Sequence, residues 1–486
     1  MKSVISSISW KFTEKIAAQL VSFIVSIVLA RLLLPEQYGI IAKVTVFITV
    51  ADVLVTTGLG SSLVQNKDVV ENDFSTMFFV NLFFSALIYS FLFFCAPLIS
   101  NFFDDFILIK VLRILGLKVL LSSYVSIQQA YISKNLLFKK SAIASFLATI
   151  VSAIVGIVIA ITGFGVWALV WQQLSFTIAQ VLLLTIFVKW KPRFVFSITR
   201  AKSFIGFGNM ILIAGMLDTI AAQVKTVLIG KNYTDSDLAY FNRGDLYPQL
   251  LISSLSGALH TVLFVVYSNE QDRLSVVKDL MRKGIRRSCF IIFAVLIGLA
   301  SVAKPLVEIM LTSKWLPCVP YLQLACLGYC TWPIQIVEQE AIMGLGYGKD
   351  YLRITILRTV FTIGLLFVFV RHGILVISLG VIIYSLFSTV LVCAWNRKKI
   401  NYSFREQISD ILPGIENALL IAITVYLISF VNLPTLVLLI LEIFGGVLIT
   451  IIFSIVTKNE TFFWILGKVL HKSRDYNFQK NDIESL

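Results

Sequence analysis

The sequence is poor in charge and in the residues that carry enzyme chemistry. Asp, Glu, Lys and Arg make up 14% of its 486 residues, against about a quarter in soluble chains. With 58% hydrophobic residues, too few charges remain to coat a soluble globule of this size, and the chain reads as a polytopic membrane protein. Histidine is nearly absent: His260, His372 and His471 are all there are. A lone His260 inside an apolar run reads as a packed or hydrogen-bonded side chain. Neither H-E-x-x-H nor G-x-S-x-G occurs. "GLGYGKD" (344–350) fails as a phosphate loop, because Met343 stands where the first Gly is required and Asp350 replaces Ser/Thr. It reads as the turn between the tenth and eleventh spans. The six cysteines show no disulfide spacing. Cys326 and Cys330 share a helix face, but two thiols without His or a second pair make a poor metal site and read as packing. No cofactor, no metal and no catalytic set are therefore expected, and no ATPase. The chain is not read as an enzyme.

Long apolar runs fill the space instead. A span needs about 20 mostly apolar residues, and about fourteen are expected, centred near residues 23, 52, 88, 120, 152, 177, 217, 256, 298, 332, 361, 384, 421 and 446. Short polar breaks such as "LLPEQYG", "QNKDVVEND", "TGFG" and "RKKINYS" separate them. Runs of this length exclude a β-barrel, whose strands are about ten residues and alternating. Lys2 and Lys11 precede the first run in the manner of a signal peptide, but that run is too long and "LARLLLPEQYG" offers no small-residue cleavage site. An uncleaved first helix is expected.

The net charge of +14 is concentrated on one side. With the N-terminus inside, the inner segments hold most of the Lys and Arg, above all "KWKPRFVFSITRAK" (189–202) and "EQDRLSVVKDLMRKGIRR" (270–287). This bias places both termini in the cytoplasm and removes nucleic acid as a partner, since the basic residues line a membrane face. Leu274, Val277, Leu280, Met281 and Ile285 are spaced for a helix lying on that interface. Trp10, Trp167, Trp190, Trp315 and Trp395 fall near span ends, where an aromatic belt sits. The tail "HKSRDYNFQKNDIESL" (471–486) reads as disordered or surface-lying.

A weak repeat runs at an offset of 200 residues. "IVLAR" (27–31) faces "VLIGK" (227–231), Arg31 faces Lys231, Ala30 faces Gly230, Gly39 faces Ala239, and Lys43 faces Arg243. Six spans separate the copies, so both enter the membrane in the same direction. The fold class expected is all-α and polytopic: two parallel six-helix lobes around a central cavity, plus two C-terminal helices. The corresponding boundaries are 1–195 and 196–400 for the lobes, 401–460 for the added pair, and 461–486 for a cytoplasmic tail.

"ARLLLPEQYGIIA" (30–42), "TTGLGSSLVQNKDVVENDFSTMFFVN" (56–81), "GFGVWALVWQQL" (163–174) and "LTSKWLPCVPYLQLACLGYCTWPI" (311–334) closely resemble the bacterial polysaccharide transporter family. These are the O-antigen and exopolysaccharide flippases of the multidrug/oligosaccharidyl-lipid/polysaccharide exporter superfamily. The resemblance runs from about residue 8 to about residue 400. It implies twelve to fourteen helices in two lobes, and export of undecaprenyl-pyrophosphate-linked oligosaccharide across the bacterial inner membrane by alternating access, for surface polysaccharide biosynthesis. Membrane lipids and the lipid-linked oligosaccharide are the implied partners, with polymerase and chain-length proteins beside them. Two rivals stand next to this reading. A drug or cation antiporter of the same superfamily needs a carboxylate-dominated cavity. A membrane glycosyltransferase or polymerase needs a sizeable outer loop, and the outer loops here are short.

"MLDTIAAQVKTVLIGK" (216–231) sets Asp218 and Lys225 inside an apolar run. Each charge turned to lipid costs about 2.5–3.5 kcal/mol on insertion scales. On a helix, Lys225 falls within about 20° of Asp218, and Ala222, Thr226, Thr219 and Gln223 continue the same arc. One polar face, turned inward, is the expectation. The two side chains are separated by about 10.5 Å of rise, long for a direct pair, which favours function over mutual neutralisation. The resemblance leads one to expect Asn or Asp near the position of Lys225; a Lys there favours contact with an anion over a coupling ion. A pyrophosphate headgroup needs cations, and Lys15, Lys43, Arg113, Lys118 and Lys225 are the candidates, with Asp52 and Asp218 as their carboxylate partners in the cavity or, alternatively, as carriers of a coupling proton or sodium ion. Lys11 and Lys15 equally suit snorkelling to the interface, and Arg353 and Arg358 read as interfacial. Glu338 and Glu340 are two apart and do not share a helix face, so an unwound segment is expected there.

Overall fold

The computed structural model describes residues 18–57, 59–66, 68–188 and 190–471. Among these residues there is no strand; nineteen α-helices and one 3₁₀ turn (Ser313–Cys318) carry the chain. They are α1 (Ala18–Leu32), α2 (Pro35–Thr56), α3 (Leu59–Gln65), α4 (Glu71–Phe103), α5 (Ile107–Leu115), α6 (Leu117–Lys134), α7 (Phe138–Ile161), α8 (Val166–Val188), α9 (Ile198–Asn232) and α10 (Asp235–Asn269). Then follow α11 (Leu274–Ser301), α12 (Ala303–Leu311), α13 (Val319–Tyr329), α14 (Trp332–Gly344), α15 (Gly348–Phe369), α16 (Ile374–Ile400), α17 (Phe404–Ser429), α18 (Thr435–Val456) and α19 (Glu460–His471).

The all-α membrane architecture is as the apolar runs dictate. Among the described residues nine helices are long and apolar enough to cross a membrane: α2, α4, α7, α8, α11, α15, α16, α17 and α18. Each expected span centre falls on a helix, and the centre near 332 lies at the first residue of α14. There the chain turns at Cys330 and Thr331, and Pro333 in the first turn of α14 has no N–H to continue α13. The unwinding expected around Glu338 and Glu340 does not occur: both glutamates lie on regular helix, and the break eight residues earlier is a turn whose two residues keep helical angles.

The chain divides by its packing into two compact units, Met1–Ala239 and Tyr240–Leu486. The division in sequence falls inside α10. α9 packs against α2, α3 and α4 of the first unit. One apolar core of that unit joins Leu29, Val44, Ile48 and Val55 to Leu108, Leu112 and Leu115 and to Leu169 and Val170. A second gathers Phe74, Met77, Ile127 and Trp190. In the second unit Tyr267, Met281, Ile285, Val337 and Tyr402 form the largest described cluster.

The repeat shows in the burial of its paired positions. Ala30 and Gly230 are buried, Arg31 and Lys231 exposed, Gly39 and Ala239 buried, Lys43 and Arg243 each 5% exposed. The helix ends repeat too. α6 ends in a left-handed residue, Leu136 (φ 55°), and Leu137 N–H donates to Ile132 C=O; α14 ends at Gly346 (φ 80°), and Tyr347 N–H donates to Ile342 C=O. Both are the same helix-stop geometry.

Segment 270–287 departs from the interfacial helix expected of it. α11 runs unbroken from Leu274 to Ser301, and Val277, Met281 and Ile285 are fully buried against the second unit's core. The reason lies on α17. Asp410 receives hydrogen bonds from Arg282 (2.7 and 3.1 Å), Arg286 (2.7 Å) and Tyr402 (2.9 Å), which lets the basic turn dock inward. Burial and the Asp410 carboxylate push the Tyr402 phenol well above its ordinary pKa, so it stays a donor. Trp190 and Trp315 are also buried, packed inside the units instead of lining a belt.

Gly39 marks the tightest approach in the first unit. A Cβ there would stand 2.0 Å from the carbonyl oxygen of Asp235, so only glycine lets α2 pass the start of α10. A Cβ on Gly364 of α15 meets nothing within 4 Å. Gly39→Ala is expected to cost about 1–3 kcal/mol, read as a lower melting temperature and reduced monodisperse yield in detergent. Gly364→Ala should leave both unchanged.

Candidate functional site

The first unit holds a polar cavity of about 540 Å³ between α2–α3, α6 and α8. Its wall carries Lys118, Ser122, Ser126, Gln129, Thr177 and Gln180, with Thr56 and Ser133 beside them. Lys118 Nζ lies 3.2 Å from a carboxylate oxygen of Asp52, and both side chains keep some exposure, 26% and 21%. The other carboxylate oxygen of Asp52 is buried and has no hydrogen-bond partner among the described residues. Gln129 exchanges hydrogen bonds with Ser141 (2.9 and 3.1 Å), and Ser126 donates to Thr56 C=O, which orients the amides and hydroxyls of the wall. The arrangement offers one cation with a displaceable partner, surrounded by neutral donors and acceptors, in an otherwise apolar helix bundle.

α9 packs beside the end of α2 and contributes no described residue to the cavity wall. A Cβ on Gly215 would stand 3.3 Å from the Thr57 methyl and 3.7 Å from Val53, so this side of α9 rests on the last turn of α2. Gly215 belongs to the arc of Asp218 and Lys225. Asp218 is exposed, and Lys225 is half-buried. The structure therefore gathers the helices of Asp52, Lys118, Asp218 and Lys225 within the first unit. Lys15 lies outside the described residues.

Two further candidate cations have local duties. Lys43 Nζ is 2.6 Å from Asp235 and 5.5 Å from the centre of the Phe103 ring, tying α2 to α4 and to the start of α10. Its repeat partner Arg243 stands 5.0 Å over Trp315 in the second unit. Arg113 answers a proline. In α4 the carbonyl of Phe93 looks to residue 97 for its hydrogen bond, and residue 97 is Pro97, which has no N–H. Arg113 Nε supplies the donor at 3.3 Å, and its guanidinium lies 4.2 Å over the Phe93 ring. These contacts account for Lys43 and Arg113 without a ligand.

The second unit has its own polar groups. Glu338 on α14 is fully buried and accepts from Asn396 of α16. Glu340 faces the other way, to His260 of α10, with Nδ1 to Oε1 at 2.6 Å. Gln335 joins Thr331, Ser385, Ser388 and Thr389 in one network. Gln128 of α6 occupies the place in the first unit that Glu338 occupies here, seven residues before the helix cap, and donates to Trp190 C=O. The amides Gln129 and Gln180 are not among the residues expected from the sequence, since neither lies beside a charge in its own apolar run. Their signal is amides inside apolar runs, in "SIQQAY" (126–131) and "FTIAQ" (176–180). Among the described residues no His, Cys, Asp and Glu group is arranged to hold a metal.

Residues 28–320 match the family described as polysaccharide biosynthesis protein. The chain belongs to that family. Among curated relatives, the teichuronic acid biosynthesis protein TuaB of Bacillus subtilis (strain 168) is 23% identical over 335 residues, 67% of this chain and 68% of that protein. The lipopolysaccharide biosynthesis protein WzxC of Escherichia coli (strain K12) is 21% identical over 339 residues, 67% of each chain. The fold is that of the lipid II flippase MurJ in its inward closed conformation, with TM-score 0.76 at 17% identity, over 94% of this chain and 99% of that one. A multidrug MATE transporter of the MOP superfamily, inward-facing, gives TM-score 0.62 at 16% identity over 79% of this chain. This member of the polysaccharide biosynthesis family is a multi-pass membrane protein with the transporter fold.

A double-mutant cycle isolates the role of Arg113. Arg113→Ala leaves the Phe93 carbonyl unpaired and should cost about 1–3 kcal/mol of stability. In a Pro97→Ala background the helix restores its own N–H donor, and Arg113→Ala should cost about 1 kcal/mol less. Thermal unfolding of the four proteins in detergent reads the coupling.

Proposed function

We propose that this protein is a flippase that carries undecaprenyl-pyrophosphate-linked oligosaccharide across the bacterial inner membrane for surface polysaccharide biosynthesis. The observation that carries the reading is the first-unit cavity, whose Lys118 and ring of hydroxyls and amides match a phosphate next to sugar hydroxyls. The names of TuaB, WzxC and MurJ point the same way. Headgroup and sugars enter from the cytoplasm, the tail stays in lipid, and two lobes alternate in access. Both termini are cytoplasmic, the protein is not an enzyme, and polymerase and chain-length proteins receive its product. Asp218 and Lys225 flank the path, and Lys118, with Asp52 as its resting counter-ion, receives the pyrophosphate.

The test is reconstitution in liposomes with an undecaprenyl-pyrophosphate oligosaccharide loaded on one face, reading its arrival on the other. Losing one charge-assisted contact of about 1.5–3 kcal/mol predicts that Lys118→Ala slows transfer roughly ten- to a hundredfold, with Lys118→Arg recovering much of it. Lys225→Ala and Asp218→Asn should each slow it as well. Transfer unchanged in Lys118→Ala, in protein that melts like the parent, overturns the site. Failure to move any of several glycans, together with Asp52-dependent uptake of an organic cation, would establish an antiporter instead.

A further inference from the structure

α18 is the most apolar of the spanning helices, and Glu442 is its only ionisable residue. Turned to lipid it would be unstable, and it is turned inward, 1% exposed. It lines a cavity of about 480 Å³ whose walls are Val295 and Gly298 of α11, Val302, Ile421 of α17, Val447 and Phe462 of α19. One oxygen of the carboxyl is buried with no hydrogen-bond partner among the described residues. The obvious donors on the same face are already committed. Thr450 Oγ1 donates to Gly446 C=O at 2.9 Å, and Ser454 Oγ to Thr450 C=O at 2.6 Å. No titratable side chain other than Glu442 lines the cavity. The charged groups of the surrounding helices do not line it; those next along each helix are Arg286 and Arg287 on α11, Lys304 and Glu308 on α12, Glu416 on α17, and Glu460 on α19. Arg286 is bound to Asp410 and Glu460.

An ionised carboxylate with neither cation nor donor is not stable in such surroundings, whereas the neutral acid is. The exposed flanks of the cavity, Val295, Ile443 and Val447, belong to the lipid-facing surface of these helices, so its contents come from the bilayer. We propose that Glu442 is a proton-binding site in the C-terminal helices, held as the neutral acid while the cavity is dry and giving up its proton when water or a cation enters. The assignment is independent of the substrate proposed above.

Dicyclohexylcarbodiimide is an apolar reagent that reaches carboxyls from lipid and reacts with the acid form. The acid's proton passes to a carbodiimide nitrogen and its oxygen adds to the central carbon; an O-to-N acyl shift then leaves a stable N-acylurea. Full-length protein in phosphatidylcholine/phosphatidylglycerol liposomes is treated at pH 7.5 and the adduct mapped by peptide mass spectrometry. Carboxyls in water are almost wholly ionised there, and exposed Glu36 and Glu71 serve as internal references. Labelling of Glu442 at about ten times theirs or more is expected; labelling equal to theirs or lower overturns the proposal. The reading is taken on the wild-type chain and depends on no variant. Glu442→Gln, which mimics the neutral acid, should melt within about 2 °C of the parent at neutral pH. A Gln variant that unfolds would mean an ionised carboxylate holding a cation, and would count against the proposal.

Discussion

A charge placed in hydrocarbon must find a partner or lose its charge, and this requirement organises the described helices. Asp410 is fully buried and takes two arginines and a phenol. Asp73, near the start of α4, takes Arg200 through both carboxylate oxygens and caps the helix at Val70 N–H. Lys43 takes Asp235, Glu340 takes His260, and Glu338 takes Asn396. Each pair joins helices distant in sequence, so charges that are liabilities singly become ties between spans. Against this background two places stand out: the Lys118–Asp52 pair, half-open on a polar cavity, and Glu442, closed on an apolar one.

The repeat explains why some of these ties look alike and others do not. Lys43 and Arg243 keep the same depth, and each lies against an aromatic ring, Phe103 in one copy and Trp315 in the other. The amide at Gln128 and the carboxyl at Glu338 occupy equivalent buried positions with different chemistry. Copies of one architecture have thus been given unlike interiors. The first unit keeps a neutral, hydroxyl-rich lining around one lysine. The second collects Glu338, Glu340 and His260.

Fold class and span placement were legible because each rests on a property summed over twenty residues, and sums survive local exceptions. The family was legible because "ARLLLPEQYGIIA" and its companion blocks are long. Single side chains were not. Arg113 looked like a free cation, and nothing in "KVLRIL" says that a carbonyl twenty residues earlier lacks its donor; Pro97 holds that information, and only packing α5 on α4 connects the two. Glu338 and Glu340 suggested an unwound helix because two faces seemed one too many, yet α14 has neighbours on both sides, α16 and α10, and each glutamate meets one. Gln129 and Gln180 escaped notice because uncharged amides leave hydropathy sums nearly unchanged.

In the proposed transport cycle, the state of Lys118 bears on how a headgroup is both bound and released. A fully buried, unpaired lysine would itself be unstable as a cation. Lys118 is already paired with Asp52, and the pair keeps some exposure, where such bridges are worth about 0–1 kcal/mol. An incoming dianion has little to displace, since the pair it breaks is weak. After the anion leaves, Asp52 returns as counter-ion, so the cavity never presents an isolated charge to lipid. Removing the carboxylate would sharpen binding and slow release; removing the lysine would strand Asp52, whose second oxygen is already buried without a partner. On the proposed reading the pair sets the depth of the binding well, and a shallow well suits a carrier that must release what it binds.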